Sequence, residues 1–441
     1  MAREITDFVH SLGLDAYVVG GAVRDELLGK PHKDQDFVVP GVGYDELRAA
    51  LEPHGRVEDL EVAGQRVGLR LHPRDPALRA LVPAGIEFAP PRTERSTGPG
   101  RHDFEIVASP EISLEDDMRR RDFTINAMAK RLETGELLDP LHGRRDLEQR
   151  VLRTVSQQSF AEDPLRLIRG LRFVAELDLE PDKSTVEQMR GHAASVALVS
   201  GERIGGGLTA DGLGELSRLL LAARPAKALR LARDTGVLVH LIPEYAGAVA
   251  DGIDEHLFAV VQSAADANAP LTVRLAALLH DLGKPGASGF EEHASRGAEI
   301  AARTLARLRY PLRLQRHVTR LVREHAYAVE PTATGARRFL AEHGDELALD
   351  LADHRLADLR AKTVSAEWLH EAEEFRRLLV AERDAPHTIG ALAVDGRDVI
   401  ELGAKPGPRV GEILRELLAV VLDDPSKNTR DDLLAEARSR L

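Results

Sequence analysis

The chain of 441 residues contains no cysteine. Without thiols it has no disulfide framework, no thiolate metal site and no catalytic thiol, and a reducing cytoplasm is the expected location. No stretch approaches 18 uninterrupted apolar residues, and residues 1–5 lack the apolar segment that follows the charged start of a secretory signal. The sequence therefore predicts neither secretion nor a membrane span.

The chain also lacks an excess of positive charge. Its 59 lysines and arginines stand against 72 acidic residues, which gives a net charge of −13. This balance argues against indiscriminate binding to nucleic acid, so an RNA substrate would require a local basic surface. Residues 301–323 carry seven arginines and no acid. This segment is either a surface that faces phosphates or the solvated basic face of an amphipathic helix pair.

The most informative pattern lies near the amino terminus. Gly20 and Gly21 follow a short apolar run typical of a buried strand, and apolar residues at helical spacing come next. A glycine turn between strand and helix lets the backbone approach a phosphate chain, and it places Arg24 near a bound triphosphate. Asp34 and Asp36 lie two residues apart in a second predicted strand, so their carboxylates would share one face and could hold Mg²⁺.

Each half of this pattern has an ordinary explanation, because a glycine pair is commonly a plain turn and paired acids are commonly solvated. Their combination within about 20 residues favours nucleotidyl transfer, in which two metals activate an attacking hydroxyl and stabilise the leaving pyrophosphate. The segment resembles the first motif of the polymerase-β-like nucleotidyltransferases, specifically the bacterial class II tRNA nucleotidyltransferases (CCA-adding enzymes) and poly(A) polymerases. This resemblance implies an α+β head with Asp34 and Asp36 as catalytic metal ligands.

Residues 115–128 combine acids, arginines and an asparagine in one predicted helix start. Satisfaction of the helix dipole and exposed ion pairs would explain the charges alone. Residues 120–127 also resemble the family motif RRDFTxNA, which implies that Arg121 and Asn126 contact the phosphate and ribose of the nucleotide while Asp122 helps to position them. Arg92 and Glu94 resemble a family segment between these two motifs, and Arg92 is carried over as a nucleotide-binding residue.

The sequence of residues 160–173 predicts a helix with Pro164 in its first turn and acidic residues at its amino terminus, which is the positive end of the helix dipole. Asp163 and Arg166 are three residues apart, so on a helix they share a face and could present an acceptor and a donor fork to the edge of a base. Helix capping alone also explains the acids. The segment resembles the EDxxR motif by which class II enzymes recognise CTP and ATP, and Glu162, Asp163 and Arg166 match it, with Arg169 as a further nucleotide-binding candidate.

Two shorter segments extend the resemblance. Asp146 matches the hinge motif between head and neck and is predicted to be structural. Glu202 and Arg203 resemble the last shared motif, whose acidic and basic pair steadies the recognition helix. The chain departs from the family pattern directly afterwards, because Gly205 begins a glycine-rich turn where a charged helix is usual.

A second chemical centre is indicated by His280 and Asp281 at the end of an apolar helix. Such a pair is usually a hydrogen-bonded cap, but further histidines and acids follow, and nitrogen and oxygen ligands could converge on a divalent metal. The arrangement resembles an HD phosphohydrolase domain, which many bacterial tRNA nucleotidyltransferases carry. The resemblance implies four metal ligands: His256, His280, Asp281 and Asp358. Asp353 is an alternative to Asp358 as the fourth ligand. His293 and His325 are predicted to contact the phosphate or a second metal ion.

Together these patterns and the resemblance predict an α+β fold: a polymerase-β-like head (residues 1–152) followed by an all-α neck (153–245), an HD body (246–365) and a tail (366–441). The tail is predicted to bind tRNA. The predicted activity is addition of CMP and AMP to the 3′ end of tRNA, with Mg²⁺ in the head and Mg²⁺ or a transition metal in the HD domain. The expected partners are tRNA, CTP and ATP, and association with a membrane is not expected. CC-only or A-only addition, poly(A) synthesis, and an HD hydrolase with an RNA-binding head stay open as alternatives.

Overall fold

A computed structural model describes residues 3–30, 36–62, 64–96, 104–206 and 212–441. The chain forms two compact units that divide between Pro243 and Glu244. Within the described ranges, no helix is long and apolar enough to cross a membrane. The finer division into four domains stays a prediction.

A mixed sheet of seven strands forms the centre of the first unit, in the order β3-β4-β5-β2-β1-β8-β9. Strands β2 and β5 are parallel, and the remaining neighbours are antiparallel. Two further strand pairs, β6 with β7 and β10 with β11, stand outside this sheet. The strands are β1 Tyr17–Val19, β2 Asp36–Val38, β3 Gly55–Val62, β4 Gln65–Pro73, β5 Ile86–Ala89, β6 Arg92–Ser96, β7 Phe104–Ala108, β8 Ala129–Arg131, β9 Leu137–Leu138, β10 Val151–Leu152 and β11 Glu180–Pro181.

The helices of the first unit cover the sheet and continue into a helical segment after β10. The core of the head is apolar and tightly packed, with Phe37 stacked on Phe88 at a centroid distance of 5.4 Å. Burial of each such side chain contributes about 1.5–3 kcal/mol. The helices are α1 Arg3–Ser11, α2 Gly21–Leu27, α3 Tyr44–Leu51, α4 Pro76–Leu81, α5 Leu114–Arg119, α6 Gly143–Glu148, α7 Ser159–Glu162, α8 Leu165–Leu177, α9 Lys183–His192, α10 Gly201–Ile204, α11 Glu215–Leu221, α12 Pro225–Asp234 and α13 Val237–Leu241.

The second unit is helical throughout its described residues. Helices α15, α16, α18 and α20 pack against one another around a buried polar centre, and α22, α23 and α24 share a separate apolar core. The helices are α14 Tyr245–Ala250, α15 Asp254–Asp266, α16 Leu271–Leu279, α17 Phe290–Arg307, α18 Leu312–Glu324, α19 Ala333–His343, α20 Asp345–Ala361, α21 Ala366–Glu382, α22 Gly396–Glu401, α23 Pro408–Asp423 and α24 Arg430–Arg438.

The prediction of one helix start over residues 115–128 was wrong. Helix α5 ends at Arg119, and the backbone is extended at Phe123 before a short 3₁₀ turn at Thr124–Asn126. Phe123 is fully buried and packs edge-on against Phe173 at 5.8 Å, while the amide of Thr124 donates to a carbonyl in the segment after β10. This burial and pairing outweigh local helix propensity, because tertiary packing routinely overrides that weak preference.

The predicted helix over residues 160–173 is also divided. Helix α7 ends at Glu162, Asp163 is extended with φ −141° and ψ 103°, and α8 begins at Leu165 with Pro164 as its N-cap. A residue before proline is disfavoured in the helical region, which explains the break at Asp163. Asp163 and Arg166 therefore do not share a helix face.

Candidate active sites

A cavity of about 550 Å³ opens in the first unit, where the sheet meets α8. A neighbouring cavity of about 480 Å³ reaches along β4 and β5 and shares part of the same lining. The larger cavity is lined by the catalytic candidate Asp36 and by most of the nucleotide-binding candidates that the sequence predicted, namely Gly20, Gly21, Arg24, Arg121, Asp122, Asn126, Asp163, Arg166 and Arg169.

The glycine turn lies against an arginine. Gly20 has φ +69°, and an added Cβ would come within 2.6 Å of Nη1 of Arg121. Arg24, on α2 directly after the turn, donates from Nη1 to Oδ1 of Asn126 at 2.7 Å and lies 5.2 Å from the ring of Phe173. Glycine is needed at the turn because only this residue combines the left-handed backbone with room for the guanidinium.

The acidic edge of the cavity is formed by two neighbouring strands. Asp36 begins β2 and lines both cavities, whereas Asp34 lies outside the described residues. Glu87 on β5 is the register partner of Asp36 and lines the smaller cavity with it. The sequence analysis missed Glu87, although an acid between the buried Ile86 and Phe88 in a short strand was a usable signal.

A buried carboxylate that the sequence analysis did not single out holds the arginines in place. Asp117 accepts from Nη2 of Arg120 at 2.8 Å, from Nη2 of Arg121 at 3.2 Å and from the backbone amide of Arg92 at 3.2 Å. Burial opposes the charge of Asp117, but Arg120 and Arg121 outweigh that effect and lower its pKa. The Arg92 guanidinium reaches the carbonyl of Val67 at 3.1 Å and lines the smaller cavity, while the side chain of Glu94 lies outside the described part of the chain.

Asp122 joins two of the predicted residues. It is buried, accepts from Nδ2 of Asn126 at 3.0 Å and from the amide of Phe123 at 2.8 Å, and pairs with Arg169 of α8 at 2.7 and 2.8 Å. Burial alone would raise the pKa of Asp122, but the Arg169 guanidinium and these hydrogen bonds lower it to about 2. Asp122 is therefore ionised at neutral pH and fixes the amide of Asn126.

The base-recognition candidates meet at the start of α8, despite the break in the helix. Oδ1 of Asp163 caps the amide of Leu165 at 3.0 Å, and Oδ2 accepts from Arg203 at 3.2 Å. Arg166 is buried and donates to Glu162 at 3.0 Å and to the carbonyl of Arg120 at 2.7 Å. Both side chains line the larger cavity, so their own partners hold a carboxylate and a guanidinium in its wall.

Asp146, predicted to be structural, is buried away from the cavity. It accepts from the hydroxyl of Thr124 at 2.7 Å and from Nε of Arg153 at 3.0 Å. These contacts link α6 and the segment after β10 to the turn that presents Asn126. The geometry is that of a support between elements.

The predicted ligands of the second centre converge at one place in the second unit. Nε2 of His256 lies 3.0 Å from Oδ1 of Asp358, and Nε2 of His280 lies 3.3 Å from Oδ2 of Asp281. Asp353 instead pairs with Arg376 on α21, so it is not part of the cluster. The sequence analysis missed His354, although it lies four residues before Asp358 on the same helical face.

The chemistry of this donor set fits a divalent metal ion. Nε2 of His256, Nε2 of His280 and Oδ1 of Asp358 are buried and make no hydrogen bond of good geometry. Imidazole nitrogen and carboxylate oxygen are the ligands that Zn²⁺, Mn²⁺, Fe²⁺, Co²⁺ and Ni²⁺ prefer. Burial opposes the charge on Asp281, but His280 and Lys284 hold the pKa of that carboxyl well below its usual range, so the ligand is ionised.

Three family models match the chain. The model described as the Poly A polymerase head domain matches residues 16–153, the model described as a probable RNA and SrmB- binding site of polymerase A matches residues 178–248, and that of the HD domain matches residues 253–372. Fold and site thus define a class: nucleotidyltransferases with a polymerase-β-like head and a helical remainder that contains an HD domain. Such head and HD families generally use divalent metals.

Full-length relatives narrow this class. The Multifunctional CCA protein of Verminephrobacter eiseniae is 35% identical over 434 residues, which span 91% of this chain and 97% of the relative. The protein of that name from Pseudomonas aeruginosa is 35% identical over 429 residues, 91% of this chain and 96% of its own. The crystal structure of the Bacillus stearothermophilus CCA-adding enzyme in complex with CTP is 26% identical with a TM-score of 0.71, and the match covers 99% of this chain and 96% of that one. The chain belongs to the family of multifunctional CCA proteins, which confirms the predicted family and fold class.

Proposed function

We propose that the chain is a tRNA nucleotidyltransferase that adds CMP and AMP to the 3′ end of tRNA and releases pyrophosphate. The observation that carries this proposal is the larger head cavity, where a glycine turn, a strand-borne carboxylate and a carboxylate–guanidinium pair meet. The relatives named above support it, since one was solved with CTP and two are called multifunctional CCA proteins. A cytoplasmic location belongs to the same proposal, because that compartment contains the tRNA and nucleoside triphosphates.

The residues around the glycine turn bind the triphosphate. Arg24 and Arg121 are held by hydrogen bonds at the cavity wall, so their guanidinium groups need little reorganisation to meet phosphate oxygens. Asp36, with Asp34, would hold Mg²⁺, for which carboxylate oxygens are suitable ligands, and Glu87 beside Asp36 is a third candidate. When bound, Mg²⁺ would stabilise negative charge on the triphosphate and the leaving pyrophosphate.

The reaction is an in-line displacement at the α-phosphorus. The 3′-hydroxyl of tRNA forms the new P–O bond as the bond to pyrophosphate breaks, and the hydroxyl proton passes from the attacking oxygen to water. Arg24 and Arg121 offset the charge of the pyrophosphate. The rate therefore depends on how well the turn and Asp117 hold the Arg121 guanidinium in position.

Selection of the base is assigned to Asp163 and Arg166. A carboxylate that accepts and a guanidinium that donates can both pair with the Watson–Crick edges of cytosine and adenine. Arg203 and Glu162 already orient these two side chains, so the site reads the base without a nucleic-acid template.

Extension of tRNA transcripts tests this proposal. Transcripts that end before CCA, after C and after CC are incubated with Mg²⁺ and with CTP, ATP or both, and the products are resolved at single-nucleotide length. We expect all three to grow to one CCA end, and we expect Asp36→Ala to abolish growth while the exposed-carboxylate control Asp7→Ala leaves it unchanged. Arrest after CC, extension of the CC transcript alone or continued addition of A would each identify a rival activity; no growth on any transcript would refute the proposal.

The second centre favours a second activity, hydrolysis of phosphate esters at RNA 3′ ends. The convergence of buried donor atoms from His256, His280 and Asp358 supports this assignment. The residues His256, His280, Asp281 and Asp358 would hold the metal, which would supply an activated water when bound. Hydrolysis of RNA with a 3′-phosphate or a 2′,3′-cyclic phosphate should require added metal. Equal rates for the wild-type protein and His280→Ala would refute the activity.

The basic segment of α17 and α18 offers an RNA surface. All seven of its arginines are exposed, and ion pairs with acids of the second unit are formed by Arg307, Arg313 and Arg320. We expect Arg316→Glu/Arg323→Glu to weaken tRNA binding at low salt more than Arg320→Glu, because Arg320 is already paired with Glu324 at 2.8 Å. Filter binding across a salt series measures this effect, and unchanged affinity of the double variant would identify the segment as a solvated helix face.

A further inference from the structure

A separate cavity of the first unit, which we call the edge pocket, shares no lining residue with the two head cavities described above. It has a volume of about 500 Å³ and opens where β3 begins and β4 ends, beside α4. Because β3 is an outer strand of the seven-stranded sheet, the pocket lies at the edge of that sheet. The described residues that line it are largely basic: Gly55, Arg56, His72, Pro73, Arg74 and Arg79.

The pairing of β3 with β4 forms one side of the edge pocket. Gly55 is the register partner of Pro73, and a Cβ added at Gly55 would come within 2.1 Å of the backbone oxygen of His72. This close approach requires glycine, and the missing side chain leaves space at the end of the strand pair. The next pair in the ladder is Arg56 with His72, so these two side chains stand on the same face of the sheet.

One carboxylate contacts the basic side chains of the edge pocket. Glu58 accepts from Nε2 of His72 at 3.0 Å and pairs with the guanidinium of Arg56. The hydrogen bond from His72 lowers the pKa of Glu58, so this carboxylate is ionised at neutral pH. In the described part of the chain, the guanidinium groups of Arg74 and Arg79 form neither a hydrogen bond nor an ion pair.

The charges around the edge pocket favour an anion. Three guanidinium groups share the cavity with one carboxylate at its side, in a chain whose net charge is −13. Guanidinium groups in one cavity repel each other, and an anion between them relieves this repulsion. Arginine suits phosphate in particular, because its planar fork donates two parallel hydrogen bonds to phosphate oxygens.

The edge pocket lies outside the reach of a nucleotide in the larger head cavity. A row of charged residues crosses one face of the sheet between them: Glu58 is opposite Arg70, Arg70 donates to Glu87 at 3.2 Å, and Glu87 is the register partner of Asp36. Neighbouring strands are about 4.8 Å apart, so the three strand steps from β3 to β2 amount to about 14 Å. A ligand of the edge pocket is therefore a second ligand and not an extension of the first.

The shape of the edge pocket indicates the kind of phosphate compound that it binds. Its volume is within the range of about 300–1,000 Å³ that is usual for small-molecule sites. Among the described lining residues, His72 has the only ring on which a base could stack, and Glu58 already holds that ring. Single-stranded RNA depends on several such stacking surfaces. A concave group of arginines without them suits a compact polyphosphate better than an extended RNA strand.

We propose that the edge pocket binds a compact polyphosphate anion, such as pyrophosphate or the triphosphate group of a free nucleotide. Arg74 and Arg79 donate to its oxygens, and Arg56 donates from β3. The anion competes with Glu58 for the guanidinium of Arg56. Because the pocket and the nucleotide cavity share no residue, one chain can hold a ligand in each at the same time.

Arginine footprinting tests the proposal one side chain at a time. The full chain is treated with phenylglyoxal, which modifies accessible guanidinium groups, at increasing concentrations of pyrophosphate without added metal. Mass spectrometry of the peptides gives the rate at each arginine. At about ten times the Kd, modification of Arg74 and Arg79 should slow about tenfold. Arg145 and Arg438, which are exposed and have no side-chain partner in the described structure, are controls whose rates should not change.

Two variants test the assigned contacts. Arg74→Glu/Arg79→Glu should abolish the protection of Arg56 by pyrophosphate, while protection of Arg24 in the nucleotide cavity persists and shows that the head is folded. Glu58→Gln should tighten binding at the edge pocket about two- to fivefold, because an exposed competing ion pair is lost. Protection of Arg56 that persists in the folded double variant would overturn the proposal.

Comparison of ligands identifies the source of the phosphate. Either order of affinity for pyrophosphate and ATP upholds the proposal and shows which of the two is preferred. Tighter binding of inorganic phosphate than of both would overturn the preference for a polyphosphate. Equal protection of Arg74, Arg79 and the two control arginines would overturn the site itself, because it would indicate nonspecific screening. Protection by a tRNA transcript where pyrophosphate gives none would also overturn it and would assign the pocket to the RNA backbone.

Discussion

Replacement of Asp122 by asparagine should destabilise the head by an amount that depends on pH. The carboxyl pKa falls from the ordinary value of 3.8 to about 2 in the folded protein. At 1.36 kcal/mol for each pKa unit, this lowering corresponds to about 2 kcal/mol of stability at neutral pH. Asparagine keeps the shape of the side chain and an oxygen for the Phe123 amide, but it removes the charge that Arg169 pairs with.

The direction of the pH dependence follows from linkage. Because the folded pKa lies below the unfolded pKa, the contribution is fully present above pH 4 and is lost as the pH falls from about 4 through 2. The difference between the wild-type protein and Asp122→Asn should therefore be about 2 kcal/mol at pH 6 and roughly half of that at pH 3. Mutation of an exposed carboxylate such as Asp7 gives the control, since its pair with Arg3 is solvated and should contribute little.

Pulsed hydrogen exchange in a urea series measures this effect region by region. Mass spectrometry of peptides from residues 104–177 reports unfolding of the head separately from that of the second unit, which a single global signal would merge. A difference below about 1 kcal/mol at pH 6, where a contribution of about 2 kcal/mol is expected, would refute the reasoning. A difference of the same size at pH 3 and pH 6 would refute it as well, because the charge would then not be its source.

Two further changes test the nucleotide site. Gly20→Ala should raise the KM for nucleoside triphosphates at least tenfold, because the new methyl group would displace the Arg121 guanidinium. The control Gly13→Ala has the same φ of +69° but no atom within 4 Å of the added Cβ, so it should lower only the stability of the protein. Equal kinetic effects of the two substitutions would contradict this explanation. Arg203→Ala should weaken discrimination between CTP and ATP rather than triphosphate binding, because Asp163 loses the partner that orients it. Steady-state kinetics with each nucleotide give the ratio of kcat/KM for CTP to that for ATP. An unchanged ratio would show that Arg203 has no role in base selection.

Much of the head site was predictable because its residues are close in sequence. Gly20, Gly21 and Arg24 lie within one strand–turn–helix segment, so short-range geometry alone brings them together. The EDxxR and RRDFTxNA patterns likewise indicated charged side chains that line the larger head cavity. The histidine cluster was predicted from the resemblance of a His–Asp pair, with the histidines and acids before and after it, to an HD domain.

The tertiary structure established contacts between distant residues that these sequence patterns do not encode. Asp117 accepts from the backbone amide of Arg92, 25 residues earlier in the chain, and Glu87 lies beside Asp36 because β5 pairs with β2 in parallel across 50 residues of chain. Neither relationship has a local signature.

The same difference explains the helices that the sequence misassigned and the histidine that it missed. Burial of Phe123 between Phe160 and Phe173 ends the predicted helix, since packing of three aromatic rings outweighs local propensity. His354 lies beside the other histidines of the cluster only because the surrounding helices pack together in the folded protein. The sequence by itself determined the family and indicated most of the side chains that line the head cavity, through residue types at short fixed spacing. Only the tertiary structure decided which partner holds each group, because those partners come from distant segments that meet when the core is packed.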